Sequence, residues 1–149
     1  MATTATPMGA EPTDTLSASG SFTGKVRHIK IASAYGTAIF YGDFVKLVAA
    51  GTVEKAAVTT AVAAGTVGIF VGCTYTDPNS SQMTFNQQWP ASTTASDAYA
   101  YVVDDPKLLF RMQGDEAIAQ TGLGNNVSAV STAGSTSIGR SKNALDGGS

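Results

Sequence analysis

The chain has 149 residues, the size of one domain, and its 43% hydrophobic content is enough to build a single core. Only 13% of it is charged, about half the roughly 25% usual in soluble proteins. Nine Lys and Arg against eleven Asp and Glu leave a net charge of −2, so no basic surface can neutralise a run of phosphates, and nucleic acid is excluded as the main partner.

Residues 1–24 are almost all Ala, Thr, Ser, Gly and Pro, with Glu11 and Asp14. Such a segment buries too little apolar surface to offset the entropy of ordering, which predicts an extended N-terminal arm. The opening MATTATPMGAEPTDT has no basic run and no apolar stretch of leader length. The most apolar region, Ala61 to Cys73, is broken by Gly65, Thr66, Gly68 and Gly72. Neither a secretory leader nor a membrane-spanning segment is expected.

Residues 25–113 read as a β-domain of short strands: Lys25 to Ile31, Asp43 to Val48, Val53 to Ala57, Gly68 to Thr76, Met83 to Trp89, Ala98 to Asp104 and Leu108 to Gln113. Turn residues at Gly42-Asp43, Asp77-Pro78-Asn79 and Asp104-Asp105-Pro106 separate them. The expected fold is all-β, a small barrel or sandwich of short antiparallel strands. In the fourth strand, alternation puts Ile69, Val71, Cys73 and Tyr75 on the core face and Phe70, Gly72 and Thr74 on the other. The stretch Val53 to Ala64 has two readings: a strand running into a loop, favoured by its Val and Thr content, or an Ala-rich helix ending at Gly65. Residues 114–149 are Gly-, Ser- and Thr-rich with scattered large apolar groups, which predicts a loop-rich segment packed on the domain or on a neighbour.

The single cysteine, Cys73, cannot close a disulfide within the chain, and the single histidine, His28, leaves no partner for most zinc or Ser/His/Asp arrangements. Cys73 lies in an alternating apolar strand, the setting of an inert buried thiol. His28, flanked by Arg27 and Lys30, is poorly placed to serve as a general base. Asp97, Asp104, Asp105, Asp115 and Glu116 offer oxygens for a hard cation or a carboxylate pair, but they follow no calcium-loop spacing, and turn capping is the expected use of Asp104 and Asp105. GLGNN at Gly122 to Asn126 lacks the remaining elements of a phosphate loop and reads as a turn. No catalytic, cofactor or metal residue is assigned, and an enzyme is not expected. A hydrophobic core accounts for most of the aromatics; Trp89 beside Pro90 at a strand exit is the candidate interface anchor, with core or edge packing as its more expected use.

The succession YGDFVKL (Tyr41 to Leu47), GTVGIFVGCTY (Gly65 to Tyr75), QQWP (Gln87 to Pro90) and AYVVDDPKLLFRMQ (Ala100 to Gln113) resembles the head decoration, or cement, proteins of tailed bacteriophages. The resemblance spans about residues 25–130. It implies a virion structural protein, made in the host cytoplasm, that binds the outside of the expanded capsid. Its partners would be the major capsid protein and neighbouring copies of itself, with a trimer at a threefold junction as one arrangement. The arm then becomes a docking strand, with Thr6, Pro7, Met8, Pro12, Leu16 and Phe22 joining Trp89 as candidate interface residues. The competing reading is a glycan- or cell-surface-binding module of a fibre or adhesin, in which Trp89, Tyr99 and Tyr101 form a stacking platform. Strand parity puts Tyr99 and Tyr101 on one face.

Overall fold

In the computed structural model, which describes residues 6–16, 20–58 and 64–148, the chain is all-β and antiparallel. The strands are β1 (Glu11–Thr15), β2 (Arg27–Lys30), β3 (Phe44–Leu47), β4 (Val53–Lys55), β5 (Thr66–Thr76), β6 (Met83–Asn86), β7 (Tyr99–Val103), β8 (Leu108–Arg111), β9 (Ala129–Val130) and β10 (Ala144–Leu145). Six of them form the main sheet in the order β2-β7-β5-β3-β4, with β6 on the second half of β5. The 11-residue β5 is its spine, pairing with β7 on one side and with β3 and then β6 on the other.

The sheet curls until a single parallel bridge between Ile31 and Val53 brings its two ends together. No ladder of strands closes it, so the architecture is sandwich-like, with an open rather than a sealed barrel. Ile29, Ile31, Val45, Val53, Phe70, Cys73, Tyr75, Ala100 and Val102 fill the concave side, and Ile39 and Trp89 plug it from the connecting loops. The β1–β8 ribbon lies across one end of the sheet. An apolar groove of about 310 Å³, lined by Phe44, Val67, Ile69, Val103, Phe110 and Met112, runs between ribbon and sheet.

The seven expected strands appear as β2 to β8, with β1, β9 and β10 in addition, but the facing of β5 does not follow simple alternation. Cys73 and Tyr75 point into the core as expected, whereas Phe70 is also in the core and Ile69 lines the groove outside it. The cause is a bulge: the register against β7 shifts between Phe70 and Gly72, and an extra residue reverses the parity of everything before it. Gly72 has φ +150°, a conformation side-chain-bearing residues rarely adopt. A Cβ there would stand 3.2 Å from the Phe85 ring and 3.3 Å from the Asn86 carbonyl.

Val53–Lys55 is strand and residues 56–58 follow it without forming a helix, as the first reading of that stretch expected; residues 59–63 lie outside the described residues. The N-terminal arm is partly taken up by its own domain. Glu11–Thr15 pairs with β8, and the Arg111 guanidinium holds Glu11 at 2.6 Å. Further back, Gly9 donates its N–H to the Asn143 carbonyl and Ala10 donates to that of Gly42.

The C-terminal segment is tied in by a buried polar cluster. The fully buried Asp43 carboxylate accepts from the Phe40 N–H at 2.9 Å and the Asn143 Nδ2 at 3.2 Å, and it pairs with Lys55 Nζ at 2.8 Å. Asn143 Oδ1 in turn accepts from the Thr132 N–H. A buried charge with three donors around it is satisfied; with fewer it would be costly.

Candidate interaction surface

The outward, convex face of the main sheet carries a cluster of exposed aromatic and apolar groups. Register runs Phe85, Thr74, Tyr99 and Lys30 in one row across β6, β5, β7 and β2, with Gly72, Tyr101 and His28 in the next. Met83 is 79% exposed, Phe85 67% and Tyr99 43%. The Phe85 ring lies over Gly72, which has no side chain to lift it, and reaches Tyr101 with ring centres 5.5 Å apart. His28 meets the other side of Tyr101 edge-on at 4.4 Å. The result is a continuous strip, His28 to Tyr101 to Phe85, flanked by Tyr99 and Met83. Its polar margin is Thr74, whose Oγ1 accepts from the Tyr101 hydroxyl at 3.4 Å, and Thr76, whose hydroxyl donates to Asp97 at 2.6 Å. Those Thr76 bonds hold the Asp97 carboxyl below its ordinary range. A face of this kind fits stacking and apolar contact.

The expected interface anchor does not lie on this face. Trp89 is 0% exposed: its backbone pairs with Ile39, its Nε1 donates to the Tyr35 carbonyl at 3.3 Å, and its ring sits edge-on to Tyr75 at 5.4 Å. This corrects both the anchor and the three-ring platform, because β6 ends at Asn86 and the turn through Gln87 and Gln88 carries the next side chain inward. Tyr99 and Tyr101 do share the outward face.

The arm residues lie elsewhere and do not join Trp89. Thr6 is exposed, and Pro7 and Met8 are half-buried, with the Met8 sulfur 3.8 Å from the Arg140 guanidinium. Pro12 faces Phe110 across the ribbon, Leu16 is 71% exposed at its end, and Phe22 lines a small hollow with Thr15, Lys25 and Leu108. One edge of β1 is taken up within the chain by β8.

The Cys73 thiol is buried against the Asn86 and Gln88 carbonyls, and burial pushes its pKa up to about 12. Among the carboxylates, Asp104 pairs with Arg27 at 2.7 Å and Asp105 caps the Lys107 N–H at 2.9 Å. Asp115 and Glu116 meet Asp146, with carboxylate oxygens within 4.8 Å of one another. Chain order alone does not bring Asp146 to that pair; the backbone pairing of Asp115 with Leu145 does. The residues missed in sequence are Met83 and Phe85 on the face, and Asp43, Lys55 and Asn143 in the buried polar cluster. The Met83, Phe85 alternation was legible, but Asn143 sits in a polar tail with no pattern around it.

No match to this chain is found among models of known protein families, among curated proteins or among solved structures.

Proposed function

We propose that this chain is a virion structural protein that binds the outer surface of an expanded bacteriophage capsid and stabilises the shell. The observation that carries the reading is the outward aromatic face, with Met83, Phe85 and Tyr99 exposed beside the half-buried Tyr101, on a chain that is only 13% charged. Contiguous exposed apolar surface of this kind marks a contact with another macromolecule. The partner comes from the resemblance of Tyr41 to Leu47, Gly65 to Tyr75 and Ala100 to Gln113 to decoration proteins. Those segments supply β3, β5, β7 and β8. A protein that binds only the assembled, expanded lattice stabilises it by mass action, which requires no catalysis and no cofactor. Its partners in this reading are the major capsid protein and neighbouring copies of itself, on the virion exterior after synthesis in the host cytoplasm.

The same face favours a second reading, a glycan-binding module, with Tyr99 and Phe85 as stacking rings in place of the buried Trp89. Co-sedimentation with expanded and unexpanded shells separates the two. Saturable binding to expanded shells, with a raised disruption temperature of the decorated shell, is the expected result. Absence of binding to either shell, with retention on a glycan array that Tyr99→Ala abolishes, refutes the capsid reading and establishes the other.

A further inference from the structure

Two of the edge strands of the curled sheet, β2 and β6, are built differently. β2 forms one edge, and its sequence, Arg27, His28, Ile29, Lys30, puts positive charge along it. Charge of that kind is how soluble proteins discourage edge-to-edge pairing. β6 forms the other edge of the β5 end, and from Gln82 to Gln88 there is no Asp, Glu, Lys, Arg or Pro. Nor does a bulge disturb its pairing with β5.

The phase of the β5–β6 ladder shows which groups β6 leaves unused. Asp77 donates to the Gln82 carbonyl at 2.9 Å, so alternation makes Thr84 and Asn86 the residues bonded to β5. The N–H and C=O of Met83 and Phe85 therefore point away from the sheet, and among the described residues nothing pairs with them. Their side chains, 79% and 67% exposed, stand on the convex face beside that open edge.

We infer that β6 is a self-pairing edge: two copies of this chain join their β6 strands antiparallel about a two-fold axis through Thr84. In that register Met83 of each copy lies opposite Phe85 of the other. Each such pair exchanges both N–H···O bonds, because the free groups on one copy meet free groups of the opposite kind on the other. On the convex face the Met83 thioether lies against the partner's Phe85 ring, a favourable sulfur–aromatic contact. Charge selects this pairing over the alternatives. Two β2 edges would set Arg27 and Lys30 against their own kind, and a β2-to-β6 contact would be heterologous and leave both outer edges open to further growth. The inference stands on the edge geometry and is independent of the capsid reading, so its failure leaves that reading intact.

Sedimentation equilibrium of the whole chain, with amide hydrogen exchange on the same samples, tests it. The expected result is a concentration-dependent species of twice the 15.1 kDa chain mass, with the Met83 and Phe85 amides protected in that species and unprotected on dilution. Phe85→Pro removes an N–H that makes no bond within the chain, so it should keep the fold and shift the protein to the single-chain mass. The double variant Met83→Lys with Phe85→Lys, which sets like charges opposite each other, should do the same, whereas Lys30→Glu on the guarded edge should leave the association unchanged. A single-chain mass throughout the millimolar range overturns the inference. So does a dimer that survives both β6 variants, or one whose protection falls on His28 and Lys30.

Discussion

Asn143→Ala removes two bonds from the cluster that ties the C-terminal segment to the sheet. The Asp43 carboxylate loses the Asn143 Nδ2 donor at 3.2 Å, and the Thr132 N–H loses the Oδ1 acceptor at 3.1 Å. A bond to a charged group contributes about 1.5–3 kcal/mol and a neutral one about 0.5–1.5 kcal/mol. Asn143 is fully buried, and the vacated groups gain no water without rearrangement, so the expected loss is about 2–4 kcal/mol. In a chain of this size that lowers the melting temperature by roughly 5–15 °C. Asp43→Ala strands Lys55, whose side chain is only 16% exposed, and should cost about 3–5 kcal/mol.

Urea unfolding of wild type, both single variants and the double variant forms a cycle in which the double loss falls short of the sum by about 0.5–3 kcal/mol. The Thr132 amide should exchange faster in Asn143→Ala, while the Gly9 amide, bonded to the Asn143 backbone carbonyl, keeps its acceptor. A loss below about 0.5 kcal/mol, the size of an ordinary surface substitution, with additive singles, would refute the view that this cluster holds the tail to the sheet.

Gly72→Ala places a Cβ at φ +150° and 3.2 Å from the Phe85 ring, and the strain should lower stability by about 1–3 kcal/mol; an unchanged denaturation midpoint would show the bulge to be unstrained. The Cys73 thiol should be inert to disulfide reagents in the native protein and titrate fully in denaturant. Its pKa is raised from 9.0 to about 12, so the neutral thiol is favoured by folding: the stability it contributes is complete below pH 9 and lost as pH rises towards 12. Tyr41 is raised from 10.0 chiefly by burial, with Glu11 adding and Arg140 opposing, and acts in the same direction above pH 10. Cys73→Val should therefore flatten part of the alkaline fall in stability measured by urea titration from pH 8 upwards.

The strands of the main sheet were legible because the core is read by side chains. β5 shows why the reading stopped short of the facing: alternation is correct from Cys73 to Thr76 and reversed before Gly72, where a residue without a side chain lets the strand bulge. β1 was not legible at all. Its sequence, EPTDT, has no apolar alternation, and it is held by backbone pairing to β8 and by the Glu11 to Arg111 ion pair, neither of which leaves a periodic trace. Trp89 at a strand exit was readable as a core plug or as an anchor, with the core favoured, and the bridge to Ile39 decides for the plug. Asp43 looked like a turn residue from its Gly42 neighbour; its partners Lys55 and Asn143 come from distant parts of the chain.

The outward face and the β6 edge share Met83 and Phe85, so a variant at either residue disturbs both, and the two ideas need a residue that belongs to one alone. Tyr99 is that residue. It is 43% exposed on β7, with Thr74 of β5 on one side and Lys30 of β2 on the other, so it touches no free edge. Tyr99→Ala should weaken binding to expanded shells while leaving the sedimentation mass unchanged. Phe85→Pro should remove the dimer and, because a paired molecule presents two faces to a repeating lattice, also lower occupancy by loss of the second attachment. If Tyr99→Ala leaves occupancy at the wild-type level while Phe85→Pro abolishes it, Tyr99 takes no part in the contact, and the lattice is gripped through the Met83 and Phe85 edge or the dimer it makes.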